Sequence, residues 1–343
     1  KPDGIINSVN TSHPADWVDP LRGYKYDSVN PDALLNQATV ADGKLNLSST
    51  ASYQLLVLPQ KNTMMPDTTL SDKMRIQIDK LKQQGVKVIR YWDKPTLDAL
   101  GIERDVIVKD NQGKTLGDFA WNHRTAPGVD IYFIANQKDG QQEIALSLRV
   151  SGRVPEIWNP VTGEIRQAGE WIIRNGRTEL PLRLDANESL FIVLQTPTKQ
   201  TESAKGTNWI ETKTVQTLPE KWSVQFDPAF GGPKQAVQFS TLTDWTTNID
   251  PAVKYYSGTA VYSSDVEINK IGKGERLWLD LGRVEKIAEV KVNGVSCGVA
   301  WTSPYRVDIS NVLKPGKNKI EIAVSNTWIN RLIGDSLLLE NKR

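Results

Sequence analysis

A chain of 343 residues has room for two or three domains, and 39% hydrophobic with 24% charged residues allows a sizeable globular core. Lysine plus arginine (42) nearly cancels aspartate plus glutamate (40), so charge gives no reason to expect a nucleic acid or a membrane surface as partner. No apolar run reaches the roughly 18 residues of a membrane span.

Residues 1–23 are expected to be an extended lead-in, punctuated by Pro14, Asp19-Pro20 and Gly23. The opening Lys1-Pro2-Asp3-Gly4 does not have the form of a signal peptide, which is silent on location. Asn30-Pro31 starts a short helix to Ala38, with proline at its first turn. The apolar run Gln54–Pro59 suits a strand buried on both faces. Leu70, Met74, Ile78 and Leu81 then share one helix face, Gly85 caps it, and Val86–Arg90 forms the next strand. Strand, helix and strand with short links make a βαβ unit with a parallel sheet, so 24–116 is expected to be a small α/β domain.

Past Gly117 the period changes to two. Ile144, Leu146, Leu148 and Val150 alternate with polar neighbours, as do Leu180, Leu182 and Leu184. Asn175-Gly176 is a hairpin turn between Trp171–Arg174 and Thr178–Leu184. The stretch 117–196 therefore predicts a small β-sandwich, and the polar segment 197–206 a linker. Beyond it, 207–343 predicts a second sandwich, a jelly roll or similar. Its strands run through Leu277, Leu279 and Leu281, through Val290 to Val299 about Asn293-Gly294, and through Ile320, Ile322 and Val324.

Val290-Lys291-Val292-Asn293-Gly294-Val295-Ser296-Cys297-Gly298, then Pro304–Ile309, then Leu313-Lys314-Pro315-Gly316-Lys317-Asn318 resemble successive motifs of the galactose-binding-like domain of family 2 glycoside hydrolases. A wider resemblance is to glycoside hydrolase family 106, which includes bacterial α-L-rhamnosidases. It is carried by Gly23–Asn30 with Asp32–Leu35, Trp121–Arg124 with Asp130–Asn136, Gly152–Pro160 with Thr162-Gly163, and Asn326–Asp335. The α/β domain resembles class I glutamine amidotransferase-like folds. Together these imply a multidomain α/β plus all-β protein: a small parallel amidotransferase-like α/β domain, a β-sandwich, then a galactose-binding-like jelly roll. They also imply that the family's catalytic barrel lies upstream in the same polypeptide, and that the setting is bacterial, periplasmic or secreted.

The chemistry within the chain is sparse. Glycoside hydrolysis needs two facing carboxylates about 5 Å or 6.5–9.5 Å apart, and no pair is forced together by this coarse fold. Glu156, among Pro155, Trp158 and Pro160, is the most suggestive single carboxylate, against its reading as a polar residue ending a strand. Cys297, the only cysteine, excludes an intrachain disulfide and lies in a hairpin rather than on a nucleophile's strand-to-helix turn. No catalytic residue is assigned. No zinc spacing or phosphate-cradling glycine loop is present, so no cofactor is expected. A structural calcium ion in the last sandwich would fit such folds, though the sequence fixes no ligands.

Eleven tryptophans outnumber six phenylalanines, and tryptophan stacks on sugar rings as readily as it packs a sandwich core. Two clusters are candidate carbohydrate sites. Trp121, His123 and Arg124 stand just before a strand, in a loop able to reach a barrel's cleft or to pack between domains. Trp301, Tyr305, Trp328, Asn330 and Arg331 offer a stacking surface and a bidentate donor, or else pin the chain's end onto a neighbour. The leading expectation is a non-catalytic accessory region of a glycoside hydrolase, with an apolar patch exposed where the barrel docks. The alternatives are a free-standing carbohydrate-binding protein and a complete enzyme using unpaired residues.

Overall fold

The computed structural model describes residues 23–47, 51–58, 69–90, 94–117, 119–218, 221–268, 272 and 274–338. The expected lead-in, apart from Gly23, lies outside them. The chain divides into two compact units, one holding the chain to 184 with 189–209, the other 185–188 with 210–343. The architecture is mixed α/β and all-β, built mostly from antiparallel sheets.

The first unit opens with helix α1 (Pro31–Asn36), whose N-cap Asn30 accepts the Ala33 amide at 2.8 Å. A three-stranded antiparallel meander follows: β1 (Thr39–Ala41), β2 (Lys44–Asn46) and β3 (Ser52–Tyr53). Then comes the βαβ unit. Strand β4 (Leu55–Val57) and strand β5 (Lys87–Ile89) pair in parallel around α2 (Asp72–Gln83). Met74, Ile78 and Leu81 bury one face of α2, as their spacing requires. Gly85 ends the helix at φ +96°, a conformation other residues adopt only at a cost. Among the described residues the parallel sheet stops at these two strands, smaller than the expected domain. Helix α3 (Lys94–Ala99) leads on to β6.

A sandwich of two five-stranded antiparallel sheets makes up the rest of this unit. Its strands are β6 (Val106–Lys109), β7 (Phe119–Ala126), β8 (Val129–Asn136), β9 (Gln142–Leu148), β10 (Arg153–Trp158), β11 (Ile165–Gln167), β12 (Glu170–Arg174), β13 (Arg177–Leu184), β14 (Ser189–Pro197) and β15 (Glu202–Ala204). One sheet runs β11-β10-β14-β8-β7 and the other β15-β12-β13-β9-β6. Tyr132, Ile134, Ile157 and Ile192 of the first sheet bury in the same core as Leu146, Leu148, Leu180 and Leu182 of the second. Asn175 and Gly176 both take positive φ, the type I′ geometry that matches strand twist, and join β12 to β13.

Two strands fall outside the stretch expected to be the sandwich. β6 lies within the stretch expected to be α/β and pairs with β9. β15 lies in the polar segment expected to be a linker and closes the sheet edge beside β12. β15 is a polar, largely exposed edge strand and leaves little alternation to read, whereas β6 is apolar, with Val106 and Val108 buried in the sandwich core.

The second unit contains β16 (Trp222–Phe226), β17 (Val237–Phe239), the short helix α4 (Pro251–Lys254), β18 (Thr259–Ile268), β19 (Trp278–Asp280), β20 (Ile287–Val292), β21 (Val295–Ala300), β22 (Arg306–Asp308), β23 (Gly316–Ser325) and α5 (Ile329–Ser336). A six-stranded sheet runs β17-β16-β18-β23-β20-β21, and β19 pairs with β22 separately. Phe226, Val224, Ala260, Val290 and Ile320 are fully or almost fully buried in its core. The sequence motifs here prove to be turn geometry. Asn293 and Gly294 take positive φ at the β20–β21 turn. Buried Asn318 spends all its amide capacity nearby: its oxygen accepts from Asn293 Nδ2 (2.8 Å) and the Lys314 amide (2.9 Å), and its nitrogen donates to the Lys314 and Gly316 carbonyls (2.7 and 2.9 Å).

Leu146→Ala removes a fully buried side chain from the first unit's core and is expected to cost about 2–5 kcal/mol. Native-state hydrogen exchange checks this: β9 and β13 lose protection while β18 and β23 keep theirs. Equal loss in both units would contradict the separate cores.

Candidate functional site

Trp121, His123 and Arg124 lie inside β7 rather than in a loop before a strand. Alternation turns Arg124 to the opposite face from Trp121 and His123, so the three do not converge. Arg124 is exposed, Trp121 packs on the sandwich core, and His123 is buried. Cross-strand register places Tyr132 opposite His123 and Asp130 opposite Thr125, two residues along the same face. The His123 and Tyr132 rings stack with centroids 3.9 Å apart.

Both nitrogens of His123 meet carboxylates. Nδ1 is 2.7 Å from Asp105 Oδ2 and Nε2 is 2.9 Å from Asp130 Oδ1. Each ring nitrogen thus has a carboxylate oxygen within hydrogen-bond distance. Asp105 also accepts from the Tyr132 hydroxyl at 3.2 Å and stands 3.6 Å from Arg149 Nε, while Asp130 is paired with Arg153. Burial by itself raises the Asp105 pKa. The His123 hydrogen bond and charge, then Arg149 and Tyr132, outweigh burial and hold it below the usual aspartate range. Burial, followed by the Asp105 charge, drives the Tyr132 pKa upward. This is an internally satisfied charge cluster whose imidazole has no nitrogen left for a sugar hydroxyl. Asp105 was not singled out from sequence, and Asp130 and Tyr132 entered only as part of the motif after Trp121–Arg124, not as site residues. Only the fold brings the three stretches together.

Glu156 is likewise occupied. It lies within β10, is buried, and accepts from Trp158 Nε1 (3.0 Å), Gln195 Nε2 (3.1 Å) and Thr196 Oγ1 (3.3 Å). Cys297 is half-buried in β21, and burial pushes its thiol pKa up, away from the thiolate a nucleophile needs.

The C-terminal candidates spread along one end of the second unit's sheet. Register aligns Ala300, Ala288 and Val324 across three strands, so the chain leaves the sheet toward Trp301 and toward α5 at the same end. Trp301 is exposed, and Tyr305 is half-buried against the core. Trp328 is exposed in edge contact with Phe230 at 6.5 Å. Arg331 pairs with Asp335 at 2.8 Å, so its guanidinium is partly spent.

Asn330 alone among these five lines the large trough of this unit. The trough has a volume of about 1570 Å³, above the roughly 300–1,000 Å³ of ordinary ligand pockets. Tyr262, Ile320 and Ile322 form part of its apolar floor, and Leu277 and Leu281 contribute from the β19 side. On the β19–β22 pair, Arg276 lies 4.8 Å over the Trp278 ring and bonds Asp308 at 3.1 Å. Arg306 Nε bonds Asp280 at 2.8 Å. Buried Trp222 also lines the trough, and its indole N–H is the one buried side-chain polar atom among the described residues with no partner. The trough was missed because its walls come from distant segments. One signal was present: Arg276, Trp278 and Asp280 alternate with leucines, which puts all three on one strand face.

Among the described residues, no group of three or more His, Cys, Asp or Glu side chains is arranged to hold a metal ion, and no helix is long and apolar enough to cross a membrane.

Residues 86–171 match the alpha-L-rhamnosidase family, glycoside hydrolase family 106, and residues 198–332 match the glycosyl hydrolase 2 galactose-binding domain-like family. A solved rhamnosidase from Novosphingobium sp. PP1Y is similar over 90% of this chain and 33% of its own, with 28% identity and a TM-score of 0.70. A Formosa agariphila protein named as a candidate beta-glucuronidase is 39% identical over 133 residues, 36% of this chain and 11% of its own length. The chain thus spans about a third or less of these relatives.

The His123 cluster makes a pH prediction. The lowered Asp105 pKa contributes stability that is fully present above the unfolded value of about 3.9 and is lost as pH falls through the lower folded value. At pH 7, Asp105→Asn removes the buried carboxylate charge beside His123 and Arg149 and is expected to cost about 3–5 kcal/mol. Urea midpoints from pH 7 down to 3 should show the gap between wild type and variant narrowing below about pH 4. A constant gap would rule out the ionised carboxylate as its source.

Proposed function

We propose, for a chain that carries a family 106 rhamnosidase-like region followed by a family 2 galactose-binding-like domain, that it is the non-catalytic C-terminal region of a bacterial glycoside hydrolase. The parent activity is of the α-L-rhamnosidase type, in polysaccharide degradation in the periplasm or outside the cell, with a catalytic barrel elsewhere in the same polypeptide. The observation that carries this reading is the rhamnosidase structure whose fold follows 90% of the chain while the chain accounts for a third of it. The site chemistry supports it. The carboxylates that meet in the first unit, Asp105 and Asp130, are tied to His123, and Glu156 is saturated by neutral donors. A retaining or inverting pair needs two carboxyl groups facing a cleft. A (β/α)₈ barrel needs about 250 residues of alternating units, and the described residues hold one βαβ unit. The finer identities belong to the same proposal: an amidotransferase-like α/β portion within 24–116, a sandwich over 117–196 that borrows β6 and β15 from its flanks, and a jelly roll over 207–343.

A second reading, carbohydrate binding by the last domain, is favoured by the trough and by the unpartnered Trp222 indole that lines it. Trp278 is the stacking surface to test there, since pyranose C–H faces pack on indole.

Turnover of nitrophenyl α-L-rhamnoside is expected from a longer polypeptide containing this chain and not from the 343 residues alone. Turnover by the chain alone would overturn the non-catalytic reading. Calorimetric titration with a monosaccharide and plant-polysaccharide panel decides the second reading. Saturable heat that is lost in Trp278→Ala supports it, and no heat with any sugar refutes it.

A further inference from the structure

A surface helix ordinarily turns its apolar stripe toward the core. Helix α5 does the reverse. Ile329, Leu332, Ile333 and Leu337 form one stripe by helical spacing, and with Trp328 they are 50–67% exposed. Phe230, itself exposed, extends the patch through its edge contact with Trp328. The inward side is small and polar. A Cβ added at Gly334 would lie 2.7 Å from the Tyr255 Cβ, so only glycine lets the helix sit that close. The Arg331 amide donates to Ser257 Oγ at 2.9 Å and fixes the rotation. Rolling the stripe inward would break that bond and push leucine-sized groups onto Tyr255. The exposed face is therefore the seated orientation of the helix.

We infer that this stripe is the surface on which the catalytic domain of the same polypeptide docks, meeting it with an apolar recess. The inference rests on the reading given under Proposed function and adds the place of contact. Size selects the occupant. A lone monomer's largest apolar patch is about 300–600 Å², and five large side chains half or more exposed, with Phe230 at 49%, fill or exceed that. An eight-residue helix is only about 12 Å long, too short for two copies to bury the roughly 1,200–2,000 Å² of a stable complex between free chains. A domain interface within one chain needs only about 600–1,500 Å², because the tether holds the partner at about millimolar effective concentration. The related rhamnosidase has two-thirds of its length outside the part resembling this chain, ample for such a partner.

Hydrogen–deuterium exchange of the peptide 326–338 tests the inference. It is measured in this chain and in a longer polypeptide containing it, each as wild type and as the Leu332→Glu, Leu337→Glu double variant. In the longer polypeptide α5 amides are expected to exchange at least about tenfold more slowly than in this chain, and the double variant abolishes the difference. In this chain alone, wild type and variant should melt at the same temperature, since both sites face solvent, which separates lost docking from lost folding. Equal exchange in the two polypeptides overturns the inference. So does slowing in this chain alone that rises with concentration, which makes a second copy the occupant. A longer polypeptide that hydrolyses rhamnoside while α5 exchanges freely defeats only this inference. One without a catalytic domain defeats the functional reading as well.

Discussion

The contact between two five-stranded sheets, where Leu146 and Leu182 face Ile134 and Ile192, places the polar groups of the first unit. Burying the inner faces fixes the register of β7 on β8, and that register sets His123 against Tyr132. Tyr132 is amphipathic: its ring belongs to the hydrophobic core while its hydroxyl reaches Asp105. The charge cluster is thus hung on the edge of an apolar core, in surroundings where an unpaired charge would be costly and a fully paired one is tolerated. His123 with a carboxylate on each nitrogen is the result, a staple between the segment before β6 and the β7–β8 hairpin.

The second unit uses its polar residues differently. Asn293 and Asn318 spend their amides closing the turns that carry the family resemblance. Arginines on the β19–β22 pair are matched by Asp280 and Asp308, and one covers Trp278. Beside them stand the apolar floor of the trough, the unpartnered Trp222 indole N–H and the outward stripe of α5.

Much of the fold was legible beforehand. The helix through Met74, Ile78 and Leu81, the strands through Leu146 and Leu182, and the two Asn-Gly turns follow from local periodicity and from the φ values glycine and asparagine tolerate. Strand β15 was less legible, because a polar edge strand's backbone pairing leaves little mark on its side chains, while apolar β6 reads as a strand but its pairing with distant β9 leaves no local mark. The candidate sites fared differently. Neighbours in sequence such as His123 and Arg124 were grouped together, yet a strand sends them to opposite faces. The partners of His123 lie 18 residues before it and 7 after it, separations with no periodic signature.

By itself the sequence determined which faces had to be buried and where the chain had to turn, since alternation and positive φ are properties of one short stretch of backbone. Tertiary structure decided which carboxylates met His123, which walls enclosed the trough, and that α5 would turn its apolar side outward. The last followed from Gly334 and Ser257 holding the helix by its polar side. Those outcomes depend on how separate segments approach one another, and that is set by the packing of whole sheets.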